Sequence, residues 1–457
     1  VMAMVIQAYR YALDPTAGQE AALRSHCGAQ RFAFNWGLAV VTANLAQREA
    51  ERSYGLSGDQ LTAAVSWSAF SLRKRWNQTK HDTAPWWPEH SKEAYSSDLA
   101  NLATALDNWK TSTNGTRPGP TIRFPRFKGK RKAMSCRFTT GSFGLVDRDR
   151  RQVRLPRIGV VRTHESTRKL ARHVERGTAR IRSATVIHQG GRWFCSLSVE
   201  IERQDPAPTR PASVVGVDLG ITSLAVLSTG EVVANPRHLE VAQRELRRLQ
   251  RQAARRVGPD RRTRRQPSRR WHCTQARIAR LHAAVANARR DGLHQLSTRL
   301  VRTHGTIVVE NLHVAGMLRN RRLARHIAGV GMGEFRRQIE YKSGWAGGTV
   351  HVADRWYPSS KTCSGCGVVK AKLGLSERVF RCAECPLALD RDLNAARTLA
   401  HLVDESVGGR SSPSCGATRN EPAGNPRQTR TVQAAGTATG RPGPRPGQRR
   451  HRKVTTA

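Results

Sequence analysis

Acidic side chains are scarce in this sequence. Only 34 Asp and Glu stand against 78 Lys and Arg, which leaves a formal net charge of +44 over 457 residues. A chain so one-signed repels itself unless a polyanion neutralises it. Nucleic acid is the obvious candidate, because cationic contacts to phosphate release counterions and supply most sequence-independent affinity. An arginine-rich composition inherited from a GC-rich genome inflates the count without explaining the shortage of acids. No apolar run reaches the ~18 residues of a membrane span, so no membrane partner is expected. The opening residues, Val1-Met2-Ala3-Met4-Val5, show no charged region followed by an apolar stretch, so no secretion signal is expected and the expected location is cytoplasmic. Hydrophobic residues are a modest 38%, still enough for real cores, and 25% charged residues argue against disorder of the whole chain. At roughly 100–200 residues per domain, the length suggests about two to four domains.

Along the chain, Val5 to Leu13 alternates as a short strand, and Pro15-Thr16 turns into a helix with Leu23, Cys27, Phe32 and Trp36 on its apolar side. Residues 46–115 read as helices broken by Pro85-Trp86-Trp87-Pro88. Leu106 and Trp109 belong first to a helical core and only second to a base-stacking surface. Residues 118–137 are basic, with Arg123, Arg126, Lys128 and Lys130 interleaved with Phe124 and Phe127. That pattern suits a nucleic-acid backbone contact, or equally an edge strand defended by charge. Arg180 to His188, Gly190-Gly191 and Trp193 to Ile201 predict a β-hairpin in a small β domain, a barrel completed by the N-terminal strand. After the proline-rich linker at 206–211 the pattern switches to apolar strands over 213–234. An arginine-dense helical segment follows over 237–300, interrupted near Gly258-Pro259. The seam Ile278, Leu281, Val285, Ala288, Leu293, Leu296, Leu300 predicts a helical hairpin packed on a sheet. The arginines on its other faces, Arg247 and Arg251 among them, are candidate phosphate contacts. Beyond about residue 405 the chain is Gly, Pro, Ser, Thr and Arg without apolar periodicity, and 403–457 is expected to be a disordered basic tail.

Three acids stand at positions where rigid carboxylates are expected. Val214 to Val217 is an apolar strand that delivers Asp218 beside Gly220. The same acid-and-glycine strand also occurs in sugar-kinase and chaperone ATPases, where it holds a nucleotide and Mg²⁺. Thr306 to Val309 delivers Glu310 in the same way, although a helix N-terminus or surface turn would also accommodate an acid there. Asp390 and Asp392 open a helix running to about Leu402. Asp390 suits the cap, which leaves Asp392 to project towards the sheet. Carboxylates from separated segments suit two Mg²⁺ ions, hard cations that prefer oxygen and keep several waters. Such a pair activates a water and stabilises the leaving oxygen of a phosphodiester, with Asp218 bridging both ions and Glu310 and Asp392 each favouring one. Without metal, the three should repel and their pKa values should rise.

Cys363-Ser364-Gly365-Cys366 and Cys382-Ala383-Glu384-Cys385 make two C-x2-C pairs at zinc-ribbon spacing. Four thiolates close a tetrahedral, structural Zn²⁺ site, and the expected compartment disfavours disulfides. Cys27, Cys136, Cys195 and Cys273 read as packing residues, and Cys415 lies in the tail.

The order of features resembles the TnpB (OrfB) family encoded by bacterial insertion sequences, relatives of type V CRISPR effectors. It runs from an acid strand through an arginine-rich helical insertion, a Glu strand and a zinc ribbon to Asp390-Arg391-Asp392-x-Asn394-Ala395-Ala396. The resemblance covers about residues 5–402. It is carried also by Leu13-x-Pro15-Thr16-x-x-Gln19, Arg31-x-x-x-Asn35, Pro125-Arg126-Phe127-Lys128, Asn235-Pro236-Arg237, Leu293-His294-x-Leu296-Ser297-Thr298, Glu340-Tyr341-Lys342 and Tyr357-Pro358-Ser359-Ser360-Lys361-Thr362-Cys363. It implies an α+β multidomain chain. Residues 1–205 would be a recognition lobe, with a β-barrel over 1–12 and 118–205 and a helical insertion over 13–117. Residues 212–402 would be an RNase H-like (RuvC) nuclease domain, with a helical insertion at 237–300 and a zinc ribbon at 358–388. It further implies a guide RNA from the transposon end and a double-stranded DNA target read by base pairing beside a short flanking motif. Lys361 is a further candidate nucleic-acid contact, and a monomer, associated with the nucleoid when bound to DNA, is expected. Two departures stand out: Pro386 where glycine is usual, and Gly292 where an aromatic or apolar residue is usual. The alternatives are a non-catalytic nucleic-acid-binding regulator, which would tolerate loss of the three acids, and an accessory transposase protein. For a transposase that moves the element, the chain shows no separate tyrosine or serine recombinase constellation.

Overall fold

Alternation of apolar and polar residues makes Ala3–Asp14 a strand, β1. It ends at Pro15, and Thr16 starts the next element: its hydroxyl accepts the Gln19 amide, while the Gln19 side chain accepts the Thr16 amide. This capping box begins α1 (Ala17–Ser53), which is followed by α2 (Ala69–Thr83) and α3 (Lys92–Thr113). A short 3₁₀ turn at Trp87–Glu89 occupies the proline loop between the last two. The computed structural model describes residues 3–130, 134–203, 205–260, 262–374 and 376–407, so the expected disordered tail lies outside the described residues from 408 onwards. The final helix runs past the expected Leu402 to Val407.

After α3 come β2 (Met134–Phe138), β3 (Gly144–Leu145), β4 (Gln152–Leu155), β5 (Gly159–Thr163), α4 (Arg168–Glu175), β6 (Ala179–Gln189) and β7 (Arg192–Arg203). With β1 they form a seven-stranded antiparallel sheet, ordered β2-β6-β7-β1-β5-β4-β3. The N-terminal strand therefore lies in the middle rather than closing an edge. Where the sequence suggested a barrel, β2 and β3 remain the two edges, with no ladder joining them among the described residues. The β6–β7 turn is Gly190-Gly191, both at positive φ (60° and 81°), as a two-residue hairpin of this twist requires.

The basic stretch before β2 forms no strand over residues 120–129. Its backbone pairs instead with a side chain: the Asn35 amide donates to the Lys128 carbonyl (3.1 Å) and accepts from the Lys128 amide (2.8 Å). The motifs around Asn35 and Lys128 are thus two halves of one clamp.

The second sheet is built from β8 (Arg210–Asp218), β9 (Ser223–Leu227), β10 (Val232–Ala234), β11 (His304–Glu310) and β12 (Thr349–Ala353), in the order β10-β9-β8-β11-β12. β8, β11 and β12 run parallel, and β9 and β10 are antiparallel additions. Between β10 and β11 lie α5 (His238–Ala254) and α6 (Arg269–Thr303), a helical hairpin interrupted over 255–268. The α6 seam is fully buried only at Leu293, Leu296 and Leu300, and Ala288 is exposed. α6 runs unbroken through Gly292. Next come α7 (Val314–Met317), α8 (Ala324–Val330) and α9 (Met332–Ala346). A two-stranded ribbon, β13 (Val379–Arg381) and β14 (Ala388–Asp390), leads into α10 (Arg391–Val407).

Strand period two decides what faces what. Val215, Val217, Ile307 and Val309 pack with α6 and α9 on one side of the sheet, while Val214, Val308 and Ala353 pack with Leu399 of α10 on the other. Asp218 and Glu310 belong by alternation to the α10 side. α10 comes so close there that a Cβ on Gly216 would stand 1.9 Å from the Ala396 carbonyl oxygen. Only glycine fits, because the obstacle is backbone. Gly216→Ala should therefore destabilise the chain by at least the ~1–3 kcal/mol of overpacking, a fall in Tm of several degrees in a calorimetric scan. An unchanged Tm would show that α10 is not seated on β8.

Candidate active site and metal centre

Val217 of β8 is level with Val309 of β11 in the parallel ladder, so the next residues, Asp218 and Glu310, end adjacent strands at the same height. Asp392 comes from α10. It lies four residues before Ala396, on the same helix face, and Asp218 lies two residues past Gly216, on the same strand face. The close crossing at Gly216 and Ala396 thereby brings the third acid to the other two. Asp390 caps the helix: its carboxylate accepts the amides of Asp392 (2.9 Å) and Leu393 (3.1 Å). Asp392 keeps its carboxylate for the cluster, with Arg378 as an ion-pair partner at 3.8 Å.

Burial first, then the charges of Glu310 and Asp392, push the Asp218 carboxyl up to about 8. Among the described residues, only the four cysteines below bring three or more ligand atoms within 4.8 Å of one another, and the acids are more widely spaced. A single ion could not draw on all three at such a spacing. A pair of ions about 3.5–4 Å apart, each ~2.1 Å from its ligands, accepts outer oxygens up to roughly 8 Å apart. An unfolded Asp ionises near about 3.9, whereas folded Asp218 keeps its proton to about 8. Its contribution to stability is full below the first value and lost as pH rises through the second. In EDTA at about pH 8, Asp218→Asn should therefore melt ~3 °C or more above the wild type, and the gap should close towards pH 4. A constant gap would mean that Asp218 titrates normally.

The serine of the Tyr357-Pro358-Ser359 motif is one part of the site that sequence reading left without a role. Ser359 is buried, and its hydroxyl donates to the Glu310 carboxylate. Asn394 is another. Fully buried on α10, it donates to the Thr362 carbonyl (2.7 Å) and accepts the Ser364 amide (3.0 Å), and Thr398 also donates to Thr362 (3.2 Å). These bonds fix the first cysteine knuckle to the helix that carries Asp392. Both residues stood within recognisable motifs, but only the three-dimensional arrangement shows their partners.

The four cysteine sulfurs all lie within 4.8 Å of one another, with Cys363 and Cys385 3.6 Å apart and Cys366 and Cys382 3.5 Å apart. A disulfide needs ~2.05 Å, whereas a tetrahedron with ~2.3 Å Zn–S bonds has edges of about 3.8 Å. Backbone amides of Gly365 and Glu384 point at Cys363 and Cys382 (both 3.4 Å). The amides of Glu384 and Cys385 draw the Cys382 thiol down to about 6. The donor set and spacing fit one Zn²⁺, with no open coordination position.

The basic candidates divide. Arg123, Arg126 and Lys130 are exposed and make no ion pair among the described residues. Lys128 is half-buried and already has a partner: its ammonium pairs with buried Asp98 (2.7 Å) and lies over the Phe34 ring (3.9 Å). Arg247 and Arg251 are exposed on α5. Lys361 is half-buried, and its ammonium donates to the Ala371 carbonyl (3.3 Å). No described helix is long and apolar enough to cross a membrane.

Three family models match this chain. A "Helix-turn-helix domain" covers residues 2–50, which here form β1 and most of α1, one strand and one unbroken helix. The OrfB_IS605 model, described as "Probable transposase", covers 196–321, and a "Cas12f1-like, TNB domain" covers 333–399. A Mycobacterium tuberculosis protein named "Putative RNA-guided DNA endonuclease" is 40% identical over 419 residues, 87% of each chain. A Streptomyces pristinaespiralis protein of the same name is 33% identical over 400 residues, 87% of this chain and 90% of that one. "Putative RNA-guided DNA endonuclease InsQ" of Escherichia coli is 31% identical over 410 residues, 86% of this chain and 91% of that one.

Proposed function

This chain belongs to the TnpB (OrfB) family of insertion-sequence proteins, and from that premise we propose that it is an RNA-guided DNA endonuclease whose RNase H-like (RuvC) centre is Asp218, Glu310 and Asp392. One observation carries the assignment. Asp218 and Glu310 end neighbouring parallel strands on the face that α10 covers, and the charges of Glu310 and Asp392 add to burial in holding Asp218 far above its ordinary range. Such mutual repulsion is tolerated where a cation relieves it. Two Mg²⁺ ions there would supply Lewis-acid activation of water and stabilisation of the leaving oxygen.

The chain's own residues do the rest. Asp218 feels the charge of both partners, Ser359 orients Glu310, and the cap made by Asp390 frees Asp392 to face the cluster. The thiols of Cys363, Cys366, Cys382 and Cys385 would hold one structural Zn²⁺ beneath the same helix. The seven-stranded sheet and α1–α3 form the recognition lobe for guide RNA and double-stranded DNA, with Arg123, Arg126 and Lys130 available to phosphate. α5, with Arg247 and Arg251, presents a second cationic face. The protein would act as a monomer in the cytoplasm, on the nucleoid when bound to DNA.

The test is to express the chain with the DNA that flanks its gene, purify it, sequence the RNA that comes with it, and offer DNA matching that RNA. A discrete RNA and Mg²⁺-dependent cutting at the matching site are expected. A random RNA smear with no cutting would leave a binding protein only.

A further inference from the structure

Nine of the ten tryptophans are buried or half-buried, and the tenth, Trp356, is 84% exposed. A single exposed apolar side chain means little by itself, but the position of this one is specific. It is the midpoint of a loop whose two ends both meet Glu310. At the start, Ala353 is the ladder partner of Glu310 across β11 and β12. At the end, Ser359 donates its hydroxyl to the Glu310 carboxylate. Three residues from either end, Trp356 has its backbone within roughly 10 Å of those anchors at full extension.

The loop is braced. The Trp356 amide donates to the Asp354 carboxylate (2.8 Å), and the Tyr357 amide donates to the Asp354 carbonyl (3.1 Å). The Pro358 carbonyl accepts the amides of Lys361 (2.8 Å) and Thr362 (3.0 Å). Tyr357 packs inward against the cluster of Val308, Ala353 and Leu399, so the neighbouring indole is turned outward. Arg355, beside it, is also exposed and makes no ion pair among the described residues. A flat aromatic surface next to a free guanidinium suits one nucleotide of a single strand, the base on the indole and the phosphate on the cation.

We infer that Trp356 is a stacking platform for an unpaired nucleobase next to the scissile phosphate, which sets the position of the cut strand at the carboxylate centre. The inference rests on the nuclease reading given above. Stacking accepts any base, so the contact positions the strand without selecting its sequence.

The test uses the purified chain with its bound RNA and target DNAs carrying one abasic site at successive positions around the cut. Trp356→Ala should slow single-turnover cleavage about tenfold, about 1.4 kcal/mol, with target affinity nearly unchanged, and Trp356→Phe should restore most of the rate. One abasic position should slow the wild type by a similar factor and leave Trp356→Ala no slower than it already is. Additive losses at every position, a Trp356→Ala enzyme at the wild-type rate, or alanine and phenylalanine variants equally slow would overturn the inference while the nuclease reading stands. A wild type that cuts no DNA overturns both.

Discussion

Asp218→Ala is expected to abolish DNA cleavage, by ~10³-fold or more in single-turnover rate, about 4 kcal/mol of lost transition-state stabilisation. RNA content and target affinity should stay close to those of the wild type. The reason is positional. Asp218 is the acid that both of the others act on, held up to about 8 by burial and by their charges, so on the proposed reading its loss removes the carboxylate that would bridge the two ions. Binding should survive because the cationic surfaces lie elsewhere, on the exposed arginines of 123–130 and α5. In the absence of metal the variant should also be more stable, since a buried, repelled carboxylate has gone. Loss of cutting with unchanged or raised Tm therefore separates a chemical role from a folding role. Retained cutting would return the choice to a non-catalytic regulator.

The second large effect concerns zinc. Cys382→Ser, or exhaustive chelation, should lower bound zinc from stoichiometric to near zero. Cleavage should fall by about 10–100-fold, the usual scale for losing a support one step removed from the reacting groups. Structural zinc sites contribute folding energy directly, and here the consequence reaches the carboxylate cluster. Thr362 and Ser364, on either side of Cys363, are fixed to Asn394 and Thr398, and Asn394 is two residues from Asp392 on the same helix. Loosening the first knuckle should let the start of α10 move relative to β8. Unchanged zinc content would refute the cysteine assignment. Lost zinc with undiminished cleavage would show that α10 is held by its seat on Gly216 alone. Asn394→Ala should reproduce part of the cleavage loss with the cysteines untouched.

Much was legible in the sequence because it was local. Period-two alternation wrote β1 and the β6–β7 hairpin, Pro15 and Thr16 marked the start of α1, and two C-x2-C pairs pointed to a four-thiol site. Four apolar residues before an acid told where Asp218 and Glu310 would emerge, and Asp390 was recognisable as a cap beside Asp392. Chain spacing could not tell which basic residues are free, since charge type says nothing about partners. Lys128 looked like a phosphate contact and proved to be the partner of buried Asp98, although Arg126, two positions away, is exposed. Nor could composition decide whether the N-terminal strands close into a barrel, because closure depends on edge strands finding each other across the whole sheet.

The sequence by itself determined most of the elements, the acids at their ends and the four thiols, since each depends on neighbours within a few residues. Only the tertiary structure decided how those pieces meet. The parallel register of β8 and β11, the glycine that lets α10 touch β8, and the outward turn of Trp356 all join residues tens to hundreds of positions apart. Contacts of that kind depend on packing and backbone approach, for which no local pattern codes.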